Sequence, residues 1–266
     1  MKHFIIIFHT FINHDLYAVF CNIQRFNKSI IFRNTYRCFS LHFRSPICES
    51  KRLVSKQSTK VNFNNFSLEP LILSKFTLTS AMGCELKEHE QALLNLRSGL
   101  SPCDLDFISL DTCIGRVRGI EDSPVVDRLK EFDCRNNRLA QLALQQDEFE
   151  QAVENAKIRY GPERIGLFLG TSTSGILQTE MAYRHRDPAT GDLPKTYKYK
   201  ETQNNFSVVA FVKKYFKLEG PALVVSTACS SSAKVFAEAS RFIQSGFCDA
   251  AIVGGVDSLC QTTLYG

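Results

Sequence analysis

The chain has 266 residues, with 32 Lys+Arg against 27 Asp+Glu for a formal net charge of +5, 44% apolar residues, 11% aromatic residues and no Trp. With 22% charged residues and a mean hydropathy of -0.12, this composition excludes a fully disordered chain, a collagen-like repeat and a multi-span membrane protein. The length is enough for one sizeable core.

The charge is unevenly placed along the chain. Residues 1–68 hold ten Lys+Arg and two acids, a net of +8, and the rest of the chain is net −3. All 14 glycines follow residue 82, and ten of the 21 phenylalanines precede residue 69. A stretch without glycine lacks the residue that enters left-handed turns freely, which compact domains need. The basic surplus therefore belongs to this quarter alone, and no nucleic-acid partner is expected. The run at 4–8 (FIIIF) resembles a signal-peptide core, but His9, Asn13, His14 and Asp15 interrupt it, and a bilayer span needs about 20 apolar residues. Residues 1–68 are expected to be a basic, Phe-rich extension outside the fold, disordered or read from an upstream start. A transit peptide is the alternative. Stable membrane insertion is not expected.

The body, residues 69–266, alternates strand and helix patterns. Residues 71–78 predict a strand, the turn at Ser80-Ala-Met-Gly83 leads to a helix over 84–96, and 107–110 predicts a short strand. Residues 113–133 read as loop. Leu139, Leu142, Ala143, Phe149, Val153 and Ala156 recur at three- and four-residue steps, predicting one helix over 136–156 before Gly161-Pro162. Residues 165–169 form an apolar run suited to a strand buried on both faces. Gly170-Thr-Ser-Thr-Ser-Gly175 leaves that strand, and 183–202 reads as a long polar loop. A helix over 206–216, a strand over 222–226, a helix over 230–245 and a strand over 250–253 complete the pattern. Strand, helix, strand with short links implies an α/β fold with a mainly parallel sheet covered by helices.

Ten cysteines are scattered with no C-x-x-C pair, so no metal site is expected, and free thiols in a reducing compartment are the simplest reading. Cys229 stands apart. In Ala-Leu-Val-Val-Ser-Thr-Ala-Cys229-Ser-Ser-Ser-Ala, a buried strand delivers it to a turn, and Val235, Phe236, Ala239, Phe242 and Ile243 continue as a helix. The positive end of a helix favours thiolate over thiol, making Cys229 a candidate nucleophile for an acyl group. An inert buried cysteine fits the same placement.

Several motifs carry a family resemblance: Ser226-Thr-Ala-Cys-Ser-Ser-Ser-Ala233, Gly246-Phe-Cys-Asp-Ala-Ala-Ile-Val-Gly-Gly-Val-Asp257, Leu218-Glu-Gly-Pro221, Arg164-Ile-Gly-Leu-Phe-Leu-Gly170 and Thr79-Ser-Ala-Met-Gly-Cys84. Together they resemble the β-ketoacyl-acyl carrier protein synthases, condensing enzymes of the thiolase superfamily, over about residues 70–266. The resemblance implies the N-terminal half of a thiolase-like fold. It also implies an acyl-thioester on Cys229, then decarboxylative Claisen condensation with a malonyl-carrier thioester in fatty acid or polyketide biosynthesis. No cofactor is implied, since phosphopantetheine rides on the acyl carrier protein. That carrier is the implied partner, with Lys213-Lys214 and Arg184-His-Arg186 as candidates to meet it, and a homodimer is the implied assembly. Thr173 matches a residue that closes the acyl-pocket floor, and a plain turn residue is the alternative. The resemblance places Gly266 near the middle of the family domain. Neither His89 nor His185 matches the family's histidine pair, so condensation by this chain is expected to be incomplete. The rival readings are an inactive fragment serving at most as a pairing module and a thiolase-like acyltransferase. The expected compartment is the cytoplasm, or an organelle if residues 1–68 are a transit peptide.

Overall fold

The computed structural model describes residues 4–10 and 71–265, Phe107 excepted. The strands are β1 Phe4–Thr10, β2 Ile72–Thr79, β3 Leu100–Pro102, β4 Cys113–Gly115, β5 Ile165–Gly170, β6 Ala222–Val225 and β7 Ala250–Val256. The helices are α1 Leu86–Leu94, α2 Arg135–Leu144, α3 Phe149–Tyr160, α4 Ile176–Arg184, α5 Ser207–Phe216, α6 Ser231–Gln244 and α7 Gln261–Tyr265. Five strands form one sheet in the order β2-β1-β7-β5-β6, and every pairing in it is parallel.

Strand periodicity divides the core into two layers. Ile165, Leu167, Leu169, Ala250 and Ile252 face α2, α3 and α5 in the larger cluster. Their neighbours Phe168, Ala251 and Val253 face Val235, Ala239 and Ile243 of α6. Every residue of β5 and β7 is buried, as the apolar runs imply for strands covered on both sides. Arg164 ties the starts of these two strands together, donating to Asp249 from Nε at 2.8 Å and from a terminal nitrogen at 3.0 Å.

Four expectations are corrected. The extension at 1–68 is not wholly outside the fold: Phe4–Thr10 lies between β2 and β7, paired with both. Its β-branched and aromatic run suits a central strand, and low glycine content is no handicap there. Residues 11–70 lie outside the described residues. The helix predicted over 136–156 is two helices, because Asp147 and Glu148 take left-handed φ values of 52° and 56°. Asp147 is held there by tertiary bonds: its carboxylate accepts the Thr77 hydroxyl at 2.8 Å and the Leu86 N–H at 3.2 Å, which caps α1. The same face stays apolar on either side of the break, so periodicity alone could not show it. Ile108 is not in a strand but packs against Leu105, Ile114 and Leu259, while β3 and β4 pair antiparallel on either side of it. Phe107 is outside the described residues. The polar loop starts later than predicted, since α4 occupies Ile176–Arg184. Only Ala182 of α4 is buried, which leaves little apolar pattern to read.

His89 is wholly buried, with its Nδ1–H donating to the Glu85 carbonyl at 2.7 Å and its Nε2 accepting the Ser80 hydroxyl at 2.8 Å. A carbonyl can only accept, which fixes this neutral tautomer. Burial holds the imidazole below its ordinary value of 6.5. The unfolded chain therefore takes up a proton, as pH falls through about 6.5, that the folded chain refuses. Stability should be full above that pH and decline below it, and thermal melts from pH 7.5 to 5 should show a shallower decline in His89→Gln. Asp147→Ala should lower the urea-derived stability by about 1–2 kcal/mol through loss of the α1 cap and the Thr77 bond.

Candidate active site

Parallel α/β sheets place their sites outside the carboxyl ends of the strands. Here the segments leaving β5, β6 and β7 meet at that edge: residues 171–174, 226–230 and 257–260. Gly170 of β5 is paired with Gly255 of β7, and Thr171 donates its N–H to the Val225 carbonyl at the end of β6, at 3.1 Å.

Cys229 sits in the segment between β6 and α6, two residues before α6 begins, and is exposed. It is therefore not the inert buried cysteine of the alternative reading. The contrast with other thiols is sharp. Burial pushes Cys134 up to about 12 and Cys248 up to about 11, so both are protonated, unreactive core groups at neutral pH. Cysteines 21, 38 and 48 lie outside the described residues.

The turn that presents Cys229 is built by hydroxyl groups. Ala228 has a left-handed φ of 53°, a conformation that a residue with a Cβ adopts only when its surroundings impose it. Its carbonyl accepts the Ser231 N–H at 3.1 Å, the Ser231 hydroxyl at 2.7 Å and the Ser172 hydroxyl at 2.8 Å. The Ser231 Oγ also accepts the Thr227 N–H at 2.8 Å. The Ser230 hydroxyl donates to the Thr227 carbonyl at 2.9 Å.

One carboxylate organises the floor beneath. Asp257 Oδ1 accepts the N–H groups of Ser172 at 2.7 Å and Thr173 at 3.0 Å. The same oxygen is approached by the hydroxyls of Thr173 at 3.1 Å and Thr171 at 3.4 Å. Thr173 is 2% exposed. Its hydroxyl also faces Asn136 Oδ1 at 3.3 Å and accepts the Ser258 N–H at 2.9 Å. It thus lies one residue from the clamp on Cys229, buried in this polar knot.

Ser172 and Asp257 were not assigned roles from the sequence. The signal for them was positional: Ser172 lies two residues after β5 and Asp257 directly after β7, both strands end in or near glycine, and the two are neighbours. Two of the histidines are held by other partners. His89 is bonded to Ser80, and the exposed His185 sits at the end of α4 with Nδ1 2.8 Å from the Met181 carbonyl. Lys213 donates to the Gly220 carbonyl at 2.9 Å and Lys214 lies 3.5 Å from Glu131, so both ammonium groups have partners on this chain. A surface cleft of about 520 Å³ lined by Gln145, Glu148, Glu150, Gln151 and Glu154 does not include Cys229.

Comparisons with known proteins identify the family and the fold. The family described as "Beta-ketoacyl synthase, N-terminal domain" matches residues 134–266, half of the chain. The chain belongs to the β-ketoacyl synthase family. Among curated proteins, a non-reducing polyketide synthase (subA) of Metarhizium robertsii is 28% identical over 54% of this chain. A highly reducing polyketide synthase of Didymella fabae is 34% identical over 43% of it. The matched regions span 7% and 6% of those proteins. Among solved structures, a chain of the complex of the ketosynthase ApeO with its chain length factor ApeC from Xenorhabdus doucetiae is 32% identical with a TM-score of 0.58. That likeness covers 69% of this chain and 46% of the matched chain of that complex. The fold is that of the thiolase-like ketosynthases.

Glycine at 170 is a steric requirement of this family member's site. A Cβ there would stand 2.6 Å from backbone atoms of Ser231 and Ser232. Gly170→Ala should push the start of α6 away from the sheet. It should lower stability by about 1–3 kcal/mol in urea denaturation and slow iodoacetamide modification of Cys229 as read by peptide mass. An unchanged midpoint and rate would show that α6 is not seated against Gly170.

Proposed function

We propose that this protein supplies the acyl-accepting and condensing site of a polyketide synthase, with Cys229 as the nucleophile. The observation that carries the reading is an exposed thiol at the head of α6 whose preceding peptide is held left-handed by two serine hydroxyls. The Cys229 thiolate adds to the thioester carbonyl of an acyl chain on the phosphopantetheine of an acyl carrier protein. The resulting oxyanion collapses, a new thioester forms on Sγ, and the pantetheine thiolate leaves and takes up a proton. A malonyl-carrier thioester then loses CO₂. The electron pair of the broken C–C bond attacks the Cys229 thioester, and the cysteine leaves as thiolate, giving a 3-oxoacyl chain two carbons longer.

The names of the relatives favour polyketide over fatty acid biosynthesis. Thr173 is proposed as the acyl-pocket floor, a role suited to a hydroxyl already immobilised by Asp257 and Ser258. A homodimer formed beside β6 is proposed as well: β6 is an edge strand, and residues 226–229 after it are exposed. No helix among the described residues is long and apolar enough to cross a membrane. The proposed setting is the cytoplasm, with delivery to an organelle by residues 1–68 as the alternative.

A narrower reading has one observation in its favour. His89 and His185 are both bonded elsewhere, so neither is held at Cys229 to assist decarboxylation, and a chain confined to the transfer step is the narrower reading. Incubation with a medium-chain acyl carrier protein, read by intact mass, should add one acyl group that Cys229→Ala abolishes. Adding malonyl-carrier protein then separates the readings, since release of a 3-oxoacyl product indicates condensation. A folded chain that takes up no acyl group would overturn the proposal.

A further inference from the structure

The two serine hydroxyls meet at the peptide unit that joins Ala228 to Cys229. That unit is planar, with its C=O and N–H on opposite edges, so whatever fixes the carbonyl fixes the direction of the N–H. Ser231 Oγ at 2.7 Å and Ser172 Oγ at 2.8 Å both donate to this carbonyl, and the two hydroxyl oxygens are 3.1 Å apart. Ser172 is anchored in turn, because its own N–H donates to Asp257 Oδ1 at 2.7 Å.

We propose that Ser172 and Ser231 are positioning residues that aim the Cys229 N–H at the oxyanion formed during acyl transfer, acting through the carbonyl on the other edge of the same peptide. The proposal rests on the reading of Cys229 as the acyl acceptor. Two physical effects support it. The clamp holds Ala228 at φ 53°, so the donor is oriented before substrate arrives and needs no reorganisation during reaction. Hydrogen bonds accepted by a carbonyl also polarise its amide and strengthen the N–H as a donor. Neither effect requires the hydroxyls to touch the substrate.

Ser172 is the clean probe. It comes from the segment after β5, so its removal leaves the bonds that Ser231 makes at the start of α6 in place. Acyl transfer passes through an oxyanion, whereas alkylation by iodoacetamide does not. The test compares both reactions at Cys229 of the full chain: acylation by an acyl-N-acetylcysteamine thioester, followed by intact mass, and iodoacetamide modification, followed by peptide mass. Ser172→Ala should slow acylation on the order of tenfold, a fraction of the effect of deleting a direct oxyanion donor, and leave the alkylation rate within about twofold. Ser172→Thr, which keeps the hydroxyl, should restore acylation. Equal slowing of both reactions would overturn the proposal in favour of a general role in folding the turn. Unchanged acylation in Ser172→Ala would overturn it outright while leaving Cys229 as the nucleophile. Absence of acylation in the wild-type chain would instead bring down the underlying reading, and this proposal with it.

Discussion

The seating of α6 against the ends of β5 and β7 is the constraint from which the rest of the site follows. A Cβ at Gly170 would stand 2.6 Å from the Ser231 backbone, and one at Gly255 would stand 1.8 Å from the Ser232 hydroxyl. Both positions therefore omit the side chain, and the helix start sits directly on two paired strands. Because those strands are buried along their whole length, the platform beneath α6 does not give. Proximity then makes the hydroxyl clamp possible: Ser172 can reach the Ala228 carbonyl only because the segments after β5 and β6 are brought side by side.

The same packing accounts for a left-handed alanine in the turn. Such a conformation costs on the order of 1–2 kcal/mol for a residue bearing a Cβ. Three donors on the Ala228 carbonyl are enough to offset it, at roughly 1 kcal/mol net each. Strain and compensation thus meet at one peptide, the peptide that presents Cys229. The thiols Cys134 and Cys248 are by contrast wholly or almost wholly buried, and burial pushes them up.

Much of this was legible in the sequence, for identifiable reasons. Strands β5 and β7 were readable because strands covered on both faces are continuous apolar runs. Helix α6 was readable because its buried positions, Val235, Ala239 and Ile243, follow helical spacing, and Cys229 because it sits between strand and helix. What was not legible depends on contacts distant in sequence. The break at Asp147 depends on Thr77, 70 residues away. The place of β1 in the middle of the sheet depends on pairing with β7, which a charge count over residues 1–68 could not show. Ile108 looked like part of a strand but fills a small cluster with Leu259. Ser172 had only its position after β5 to mark it, and its role could not be read because its partners Ala228 and Asp257 lie 56 and 85 positions away.

The placement of charge bears on how such a site can serve a thiolate. A carboxylate facing the sulfur would oppose the anion that the chemistry needs. Asp257 is the carboxylate nearest in connection to Cys229, yet its Oδ1 is occupied by two N–H groups and two hydroxyls. Those donors take up its negative charge in organising the segment after β5, and what this segment passes on to the Cys229 turn is a neutral hydroxyl. Among the described residues, the turn that presents Cys229 is thus bonded by hydroxyls and backbone at the head of α6, while the charged group acts one step away. Had Asp257 touched the Ala228 peptide directly it could not have donated to the carbonyl, because an ionised carboxylate only accepts. A serine between acid and carbonyl solves that mismatch, accepting order from one side and donating a proton to the other.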